Sequence, residues 1–394
     1  MPLSITNHGA GRTMRQTRSQ GTLKKVFICA GEASGDMYGA MLVDALHAID
    51  PALSCVGMGG STMRARGFKA LIHSEALSVM GLTEVIGHLP RILGLFTRMR
   101  RFLEKERPAV VVLIDSPDFN FRVAKMAKKL SIPVVYYITP QVWAWRQGRV
   151  KFLKHYVDRL VCIFPFEEPF FRKHGLDATF VGHPLLETMD LATRRKIGPD
   201  AKRIGILPGS RHKEIASLLP VFAKVASLLW ARDPALRFTL VQAPQVELQT
   251  IQSLWLQDVP VDIVPATDRY DALRQCSFVV AASGTATFEC ALLGVPTMLA
   301  YKVAFLSYHI GRRLIRVPFI GMVNLILGKR VFPEFIQHEA TPQAMAALGQ
   351  SWLEHPDRLE LIRSELETLP AMMGPGKATD RAAAIVAEYV SGTR

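Results

Sequence analysis

From Lys25 onward, short unbroken apolar runs alternate with longer stretches of helical spacing. The runs expected to form strands are Lys25–Ala30, Ser54–Gly57, Val110–Ile114, Val134–Ile138, Leu160–Phe164 and Thr179–Val181. A charged break at Leu191–Lys202, containing Gly198-Pro199, separates these from Arg203–Leu207, Arg237–Val241, Val261–Val264, Phe278–Ala281 and Thr297–Ala300. Most are continuous Val/Ile/Leu runs, the pattern of strands buried on both faces of a parallel sheet. Between them Met37–Ala48, Arg91–Glu106, Phe121–Leu130 and Ile215–Ala231 have the spacing and length of helices. This alternation predicts an α/β chain of two doubly wound, Rossmann-like domains facing a cleft, over 24–190 and 203–375. Residues 1–23 are expected to be a disordered basic extension. The segment 376–394 carries an Ala-rich helix, Asp380–Val390, which could pack on either domain.

Length agrees, since 394 residues exceed what one hydrophobic core usually holds. A net charge of +14 calls for an anionic partner: nucleic acid, an anionic membrane or a phosphorylated substrate. Residues 1–22 carry Arg12, Arg15 and Arg18 without an acid, and Cys290–Pro333 carry Lys302, Arg312, Arg313, Arg316, Lys329 and Arg330 without one. Basic surface loops explain the same clusters. No RNP, KH or zinc-finger pattern accompanies the charge, so nucleic acid is not the expected partner. The five cysteines show no C-x-x-C spacing and read as buried free thiols of a reducing compartment. The first 22 residues lack the apolar core of a secretory signal. Leu77–Phe96 is interrupted by Glu84, His88, Pro90 and Arg91, and Val303–Leu327 by three arginines. Both are expected to touch a bilayer rather than cross it. The first of these, with Val79, Met80, Leu82, Ile92, Leu93, Leu95 and Phe96 flanked by arginines, suits an acyl-chain groove or an interfacial helix. An ordinary core helix is the alternative.

Two glycine turns carry the chemistry of the second half. Leu207-Pro208-Gly209-Ser210-Arg211 and Ser283-Gly284-Thr285-Ala286-Thr287-Phe288-Glu289 each follow an apolar strand and open a helix. Helix N-termini present unpaired N–H groups and partial positive charge, so two converging on one cleft would hold a diphosphate. Arg211 adds a charged fork, and Glu289 could accept from ribose hydroxyls. In the first half, Gly31-Glu32-Ala33-Ser34-Gly35-Asp36 follows the first strand. Ser34 and Asp36 offer contacts to a sugar while Gly31 and Gly35 let it approach the backbone; a helix cap reads equally well. Gly57-Met58-Gly59-Gly60 lacks a dinucleotide fingerprint and reads as a tight turn. Neither a P-loop nor a G-x-S-x-G elbow occurs.

Asp115 ends a wholly apolar strand, where burial raises a carboxyl pKa from about 4 toward that of a useful base. Pro117 fixes the turn, and Asp118 could orient Asp115 or cap the next helix. Gln141-Val142-Trp143-Ala144-Trp145-Arg146 could wall a sugar or acyl group, or be core. His183 falls at the domain junction and reads as either a phosphate contact or a loop hydrogen bond.

In their shared order these motifs, together with Val79-Met80-Gly81 and Asp115-Ser116-Pro117-Asp118-Phe119-Asn120, resemble those of the lipid-A-disaccharide synthases, from about Lys25 to beyond Gln337. The resemblance implies an inverting glycosyltransferase of the GT-B fold, acting in lipid A biosynthesis without a cofactor or metal. Its substrates would be UDP-2,3-diacylglucosamine and 2,3-diacylglucosamine 1-phosphate, its products a β-1,6-linked disaccharide 1-phosphate and UDP. Position by position it implies Asp115 as base, with Asp118 and Arg211 beside it in the catalytic set. Gly209, Ser210, Arg211, Ser283, Gly284 and Thr285 would hold the donor phosphates, Glu289 the ribose, and Glu32, Ser34, Gly35 and Asp36 the acceptor. Asn324 falls at a nucleotide-proximal position, where Val323 replaces the family's frequent proline. The implied location is peripheral, on the cytoplasmic face of the inner membrane, against an anionic surface. A homodimer is left open. The rival within the same fold is an enzyme acting on UDP-N-acetylglucosamine, a transferase or a 2-epimerase.

Overall fold

The computed structural model describes residues 24–74, 85–303, 308, 315 and 317–393, excluding the side chains of Ala33 and residues 85–92. Two all-parallel sheets form the framework. The first contains β1 (Lys25–Ala30), β2 (Ser54–Gly59), β3 (Lys69–His73), β4 (Val110–Ile114), β5 (Val134–Tyr137), β6 (Arg159–Cys162) and β7 (Ala178–Phe180), in the order β3-β2-β1-β4-β5-β6-β7. The second contains β8 (Asp200–Leu207), β9 (Arg237–Gln242), β10 (Val261–Pro265), β11 (Cys276–Ala282), β12 (Thr297–Tyr301) and β13 (Glu334–Ile336), in the order β10-β9-β8-β11-β12-β13. Strand order therefore reverses between β1 and β4 in one sheet and between β8 and β11 in the other.

β1, β4 and β11 are buried almost throughout and β8 over Ile204–Leu207, which is why these stretches read as unbroken apolar runs. β3 and β13 were not among the expected strands. Each is an edge strand with partly exposed positions, so neither carries a continuous apolar run. The glycines at 57–60 also differ from expectation. Gly57 and Gly59 lie within β2 rather than in a turn, and only Gly60 follows it. The expected charged break is shorter than thought, because β8 begins at Asp200 and two short helices, Leu185–Thr188 and Leu191–Arg194, occupy the connection.

The two domains meet through aromatic side chains. His183 packs between Phe164 of the first domain and Phe288 of the second, with ring centroids 5.2 and 4.8 Å away, and Tyr38 meets it edge-on at 6.3 Å. The last helix, Ala378–Ser391, settles the open question of its packing: it returns to the first domain. Its alanines let it lie close against the helix Ala33–Ile49, and it buries Ile385, Val386 and Val390 there. Each such burial stabilises by roughly 1.5–3 kcal/mol. Lys24 donates to the Val390 carbonyl at 2.9 Å, Arg381 Nε to the Val181 carbonyl at 2.8 Å, and the Thr379 amide to Glu187 at 3.0 Å. The backbone thus crosses between domains twice.

Candidate active site

In open parallel sheets the ligand crevice lies outside the carboxyl ends of the strands where their order reverses. Here those ends are the turns after β1, β4, β8 and β11: Gly31–Asp36, Asp115-Ser116, Pro208–Arg211 and Ser283–Thr285. The Gly31–Asp36, Asp115, Gly209 and Gly284 motifs each fall on one of these four turns, whereas the Trp-bearing turn follows β5, His183 follows β7 and Asn324 lies beyond β12.

Asp115 is the most constrained of them. It and Ser116 adopt left-handed backbone, with φ of 48° and 43°. Non-glycine residues visit this region at a cost and keep it only where surrounding contacts over-determine the geometry. Two donors do so. The amide of the fully buried Asn120 and the hydroxyl of Tyr136 both reach the Asp115 carbonyl at 2.7 Å. Asn120 also bonds the Ile114 carbonyl at 3.0 Å, so the strand end is pinned from below. The Asp115 carboxyl is pushed up to about 6, first by burial and then by the negative charge of Glu32. The Ser116 amide and the Arg211 guanidinium oppose that rise. Arg211 belongs to the other domain, so the cleft brings the two halves into electrostatic contact at this carboxylate.

Of the acceptor candidates, Glu32 is exposed at the cleft, Ser34 is half-buried and Gly35 is packed beneath. Asp36 turns away from the cleft toward backbone amides. Its buried carboxylate accepts from the amides of Gly60 at 2.6 Å, Thr62 at 2.8 Å and Met63 at 3.2 Å. It caps the short helix Ser61–Arg64, whose own N-cap, Gly60, has no side chain to do so. A Cβ on Gly60 would lie 2.6 Å from the carboxylate, which explains the glycine. Of the two readings of Asp36, the structure shows the cap, though of this neighbouring helix rather than its own.

Across the cleft, Gly209 has φ +105°, and a Cβ there would meet Glu214 at 2.1 Å. Glu214 Oε2 accepts from the Ser210 amide at 3.1 Å, so one of the amides expected to bind phosphate is bonded to the chain's own carboxylate. Arg211 is exposed at the N-cap of the helix His212–Trp230 and makes no side-chain cap. The second turn is open. Gly284 and Thr285 are exposed at the start of the helix Thr285–Leu292, which no side chain caps, while Ser283 is half-buried at the end of β11. Glu289, buried one turn on, is held by Arg269 through both carboxylate oxygens at 3.1 Å and by the Tyr270 hydroxyl at 3.0 Å. Arg269 and Tyr270 escaped the sequence reading because only the tertiary fold brings them to Glu289.

Asn324 also needs correction. It is fully buried, donates to the Phe332 carbonyl at 2.7 Å and to Glu334 at 2.9 Å, and accepts from the Val331 and Phe332 amides at 2.9 and 2.8 Å. All its hydrogen-bonding capacity locks the segment leading into β13, leaving none for a nucleotide. Asp118 is highly exposed and neither orients Asp115 nor caps its helix. It bonds Arg149 at 2.6 Å, with Arg146 at 3.9 Å. Trp143 is core: its Nε1 donates to the buried Glu167 at 3.1 Å, beside Thr139 and the amides of Ile163 and Phe164. Trp145 stays partly exposed. His183 is neutral, pushed down to about 3 by burial, and its Nδ1 accepts from the Leu185 amide at 3.2 Å rather than facing a phosphate.

Val79, Met80 and Leu82 lie outside the described residues, as does the Ile92 side chain. On the helix Val85–Glu106, Leu93 is 55% exposed, Leu95 is half-buried, and Phe96 stacks on Phe119 at 4.6 Å. Among the described residues no helix is long and apolar enough to cross a membrane. All five cysteines are free and buried, as expected.

The family model described as lipid-A-disaccharide synthetase matches residues 26–375. A lipid-A-disaccharide synthase of Geobacter metallireducens is 41% identical over 379 residues, covering 94% of this chain and 98% of that one. Another, from Syntrophus aciditrophicus, is 42% identical over 373 residues, covering 91% and 96%. Similar solved structures include the UDP-GlcNAc 2-epimerase of Neisseria meningitidis bound to UDP-GlcNAc (TM-score 0.60, 13% identity, 93% and 100% coverage) and the calicheamicin glycosyltransferase CalG4 (TM-score 0.60, 13% identity, 94% and 99% coverage). At such identity these two speak to the fold alone, which is GT-B.

Proposed function

The chain belongs to the lipid-A-disaccharide synthetase family, and from that membership and the geometry of its cleft we infer how it works. It is a glycosyltransferase of lipid A biosynthesis. It moves the sugar of UDP-2,3-diacylglucosamine to the 6-hydroxyl of 2,3-diacylglucosamine 1-phosphate, giving the β-1,6-linked disaccharide 1-phosphate and UDP with inversion.

The observation that carries the assignment of roles is the setting of Asp115. It is a half-buried carboxylate held in left-handed backbone at one sheet's reversal point, within the field of Arg211 from the other. In this reading Asp115 takes the proton from the acceptor hydroxyl as that oxygen attacks the anomeric carbon. A carboxyl at about 6 is ionised at neutral pH yet more basic than an ordinary aspartate, the compromise general-base catalysis favours. Departing UDP gains negative charge, which the helix N-termini behind Gly209 and Gly284 and the Arg211 guanidinium stabilise before the bond breaks. The Ser210 amide then exchanges Glu214 for a phosphate oxygen. Glu289, already fixed by Arg269, faces the ribose, and Glu32 contacts the acceptor.

Both substrates carry acyl chains. The exposed Leu93 and the arginine-bearing helix around it support a peripheral site on the anionic cytoplasmic face of the inner membrane. The test of the central role is Asp115→Asn. Disaccharide formation should fall by about 10²–10⁴-fold while calorimetric UDP affinity holds. Near-normal turnover would move the base elsewhere.

A further inference from the structure

Beside the Asp115-Ser116 turn, the turn after β5 and the start of the helix Pro117–Lys129 enclose a shallow pocket whose lining includes Pro117, Pro140, Gln141, Trp145, Arg146 and Arg149. Its two guanidiniums are set with care. Arg146 adopts left-handed backbone (φ 55°, ψ 43°) and lies over the Trp145 ring, 4.5 Å from its centroid. Arg149 sits 5.2 Å from the Phe121 ring centre and 5.9 Å from that of Trp145. One carboxylate oxygen, Asp118 Oδ1, faces both, at 2.6 Å from Arg149 and 3.9 Å from Arg146.

Stability does not account for this arrangement. The Asp118 side chain is 76% exposed, and ion pairs so open to water contribute little. A strained backbone at Arg146 costs of order 1–3 kcal/mol, more than such pairs return. Two guanidiniums against one carboxylate leave an excess positive charge, held over aromatic faces at the rim of the cleft. Planar, pre-positioned guanidiniums are well suited to a phosphate.

Resting on the reading of Asp115 as base toward a phosphorylated acceptor, we propose that Arg146 and Arg149 bind the acceptor's 1-phosphate, with Trp145 against its sugar ring. The anomeric phosphate on C1 and the 6-hydroxyl arm borne by C5 flank the ring oxygen of one pyranose, a fixed and short separation. Pro117 joins the pocket wall to the Asp115-Ser116 turn, so a phosphate held on the arginines fixes the position of the nearby 6-hydroxyl relative to Asp115. Asp118 holds the guanidiniums in place before substrate arrives and yields them to the stronger anion. The pocket thereby selects the phosphorylated acceptor over the same lipid without phosphate.

The test compares 2,3-diacylglucosamine 1-phosphate with its 1-O-methyl counterpart as acceptors, using the full-length enzyme. Wild type should favour the phosphorylated lipid at least tenfold in kcat/KM. Arg146→Ala/Arg149→Ala should bring that ratio close to one through a raised acceptor KM, with UDP affinity unchanged. Should the double variant not fold, Arg146→Gln makes the same comparison at a side chain 44% exposed. Arg149→Lys should restore part of the preference. An unchanged ratio, or equal loss toward both acceptors, overturns the proposal. Equal use of both acceptors by wild type overturns it while leaving the parent reading intact. Failure of wild type to form disaccharide from either overturns both.

Discussion

Asn120 Nδ2 and the Asp115 carbonyl are 2.7 Å apart, a bond between a fully buried carboxamide and the backbone of the proposed base. It holds a left-handed aspartate in place from the interior, where no substrate reaches. Asn120→Ala leaves the Asp115 carbonyl to Tyr136 alone and takes the side-chain donor from the Ile114 carbonyl, which costs about 1–3 kcal/mol. A lowered melting temperature together with a kcat loss larger than the change in either KM is the expected result. Unchanged kcat in a destabilised variant would mean that Tyr136 alone positions Asp115.

The raised Asp115 carboxyl has consequences for pH. Only the ionised form accepts a proton, so kcat/KM should fall as pH drops through about 6. In the folded chain this carboxyl binds its proton more tightly than at its ordinary value of 3.8. Ionised, it therefore costs stability above about pH 6, and the cost is relieved as pH falls toward 3.8. Asp115→Asn removes that burden, with an upper bound of about 3 kcal/mol. The variant should melt higher than wild type at pH 7.5 while losing turnover, and the difference should shrink near pH 4.

Arg211 acts on the same group from the opposite domain. Its guanidinium holds the Asp115 carboxyl lower than burial alone would. Arg211→Ala should weaken donor use and also move the acid limb of the pH–rate profile to higher pH. A variant with poor kcat but an unmoved acid limb would show that the two charges do not meet in the working enzyme.

Asn324 separates structure from binding. With four hydrogen bonds satisfied internally, three of them buried, Asn324→Ala should cost several kcal/mol of stability if the freed amides find no water, and so lower the melting temperature substantially. At temperatures where the variant is folded, UDP affinity should match wild type. A selective loss of UDP affinity would return Asn324 to the nucleotide site.

The parts legible in the sequence are those whose signal is local. β1, β4, β8 and β11 announce themselves because burial on both faces demands unbroken apolar runs, and Asp115 stands out as a carboxylate ending one of them. β3 and β13 were hidden because an edge strand is apolar only in part. Asp36 and Asn324 were ambiguous for one reason: a carboxylate or carboxamide near a helix start satisfies backbone amides as readily as a ligand, and sequence does not say which amides are near. Asn120 was legible only as the last residue of the Asp115–Asn120 motif, without its partner, whereas Tyr136 and Arg269 had no readable signal, since their partners lie on other elements.

The last helix completes the first domain, and this constrains how the molecule is assembled. Residues 24–190 synthesised alone would leave an apolar flank of Ala33–Ile49 facing water, because its cover is the last helix, Ala378–Ser391. On the ribosome the earlier half must wait, incompletely shielded, until the later half has emerged and its terminal turns swing back. The two halves are consequently neither separable modules nor free to drift apart: any opening of the cleft must pivot about a double strap.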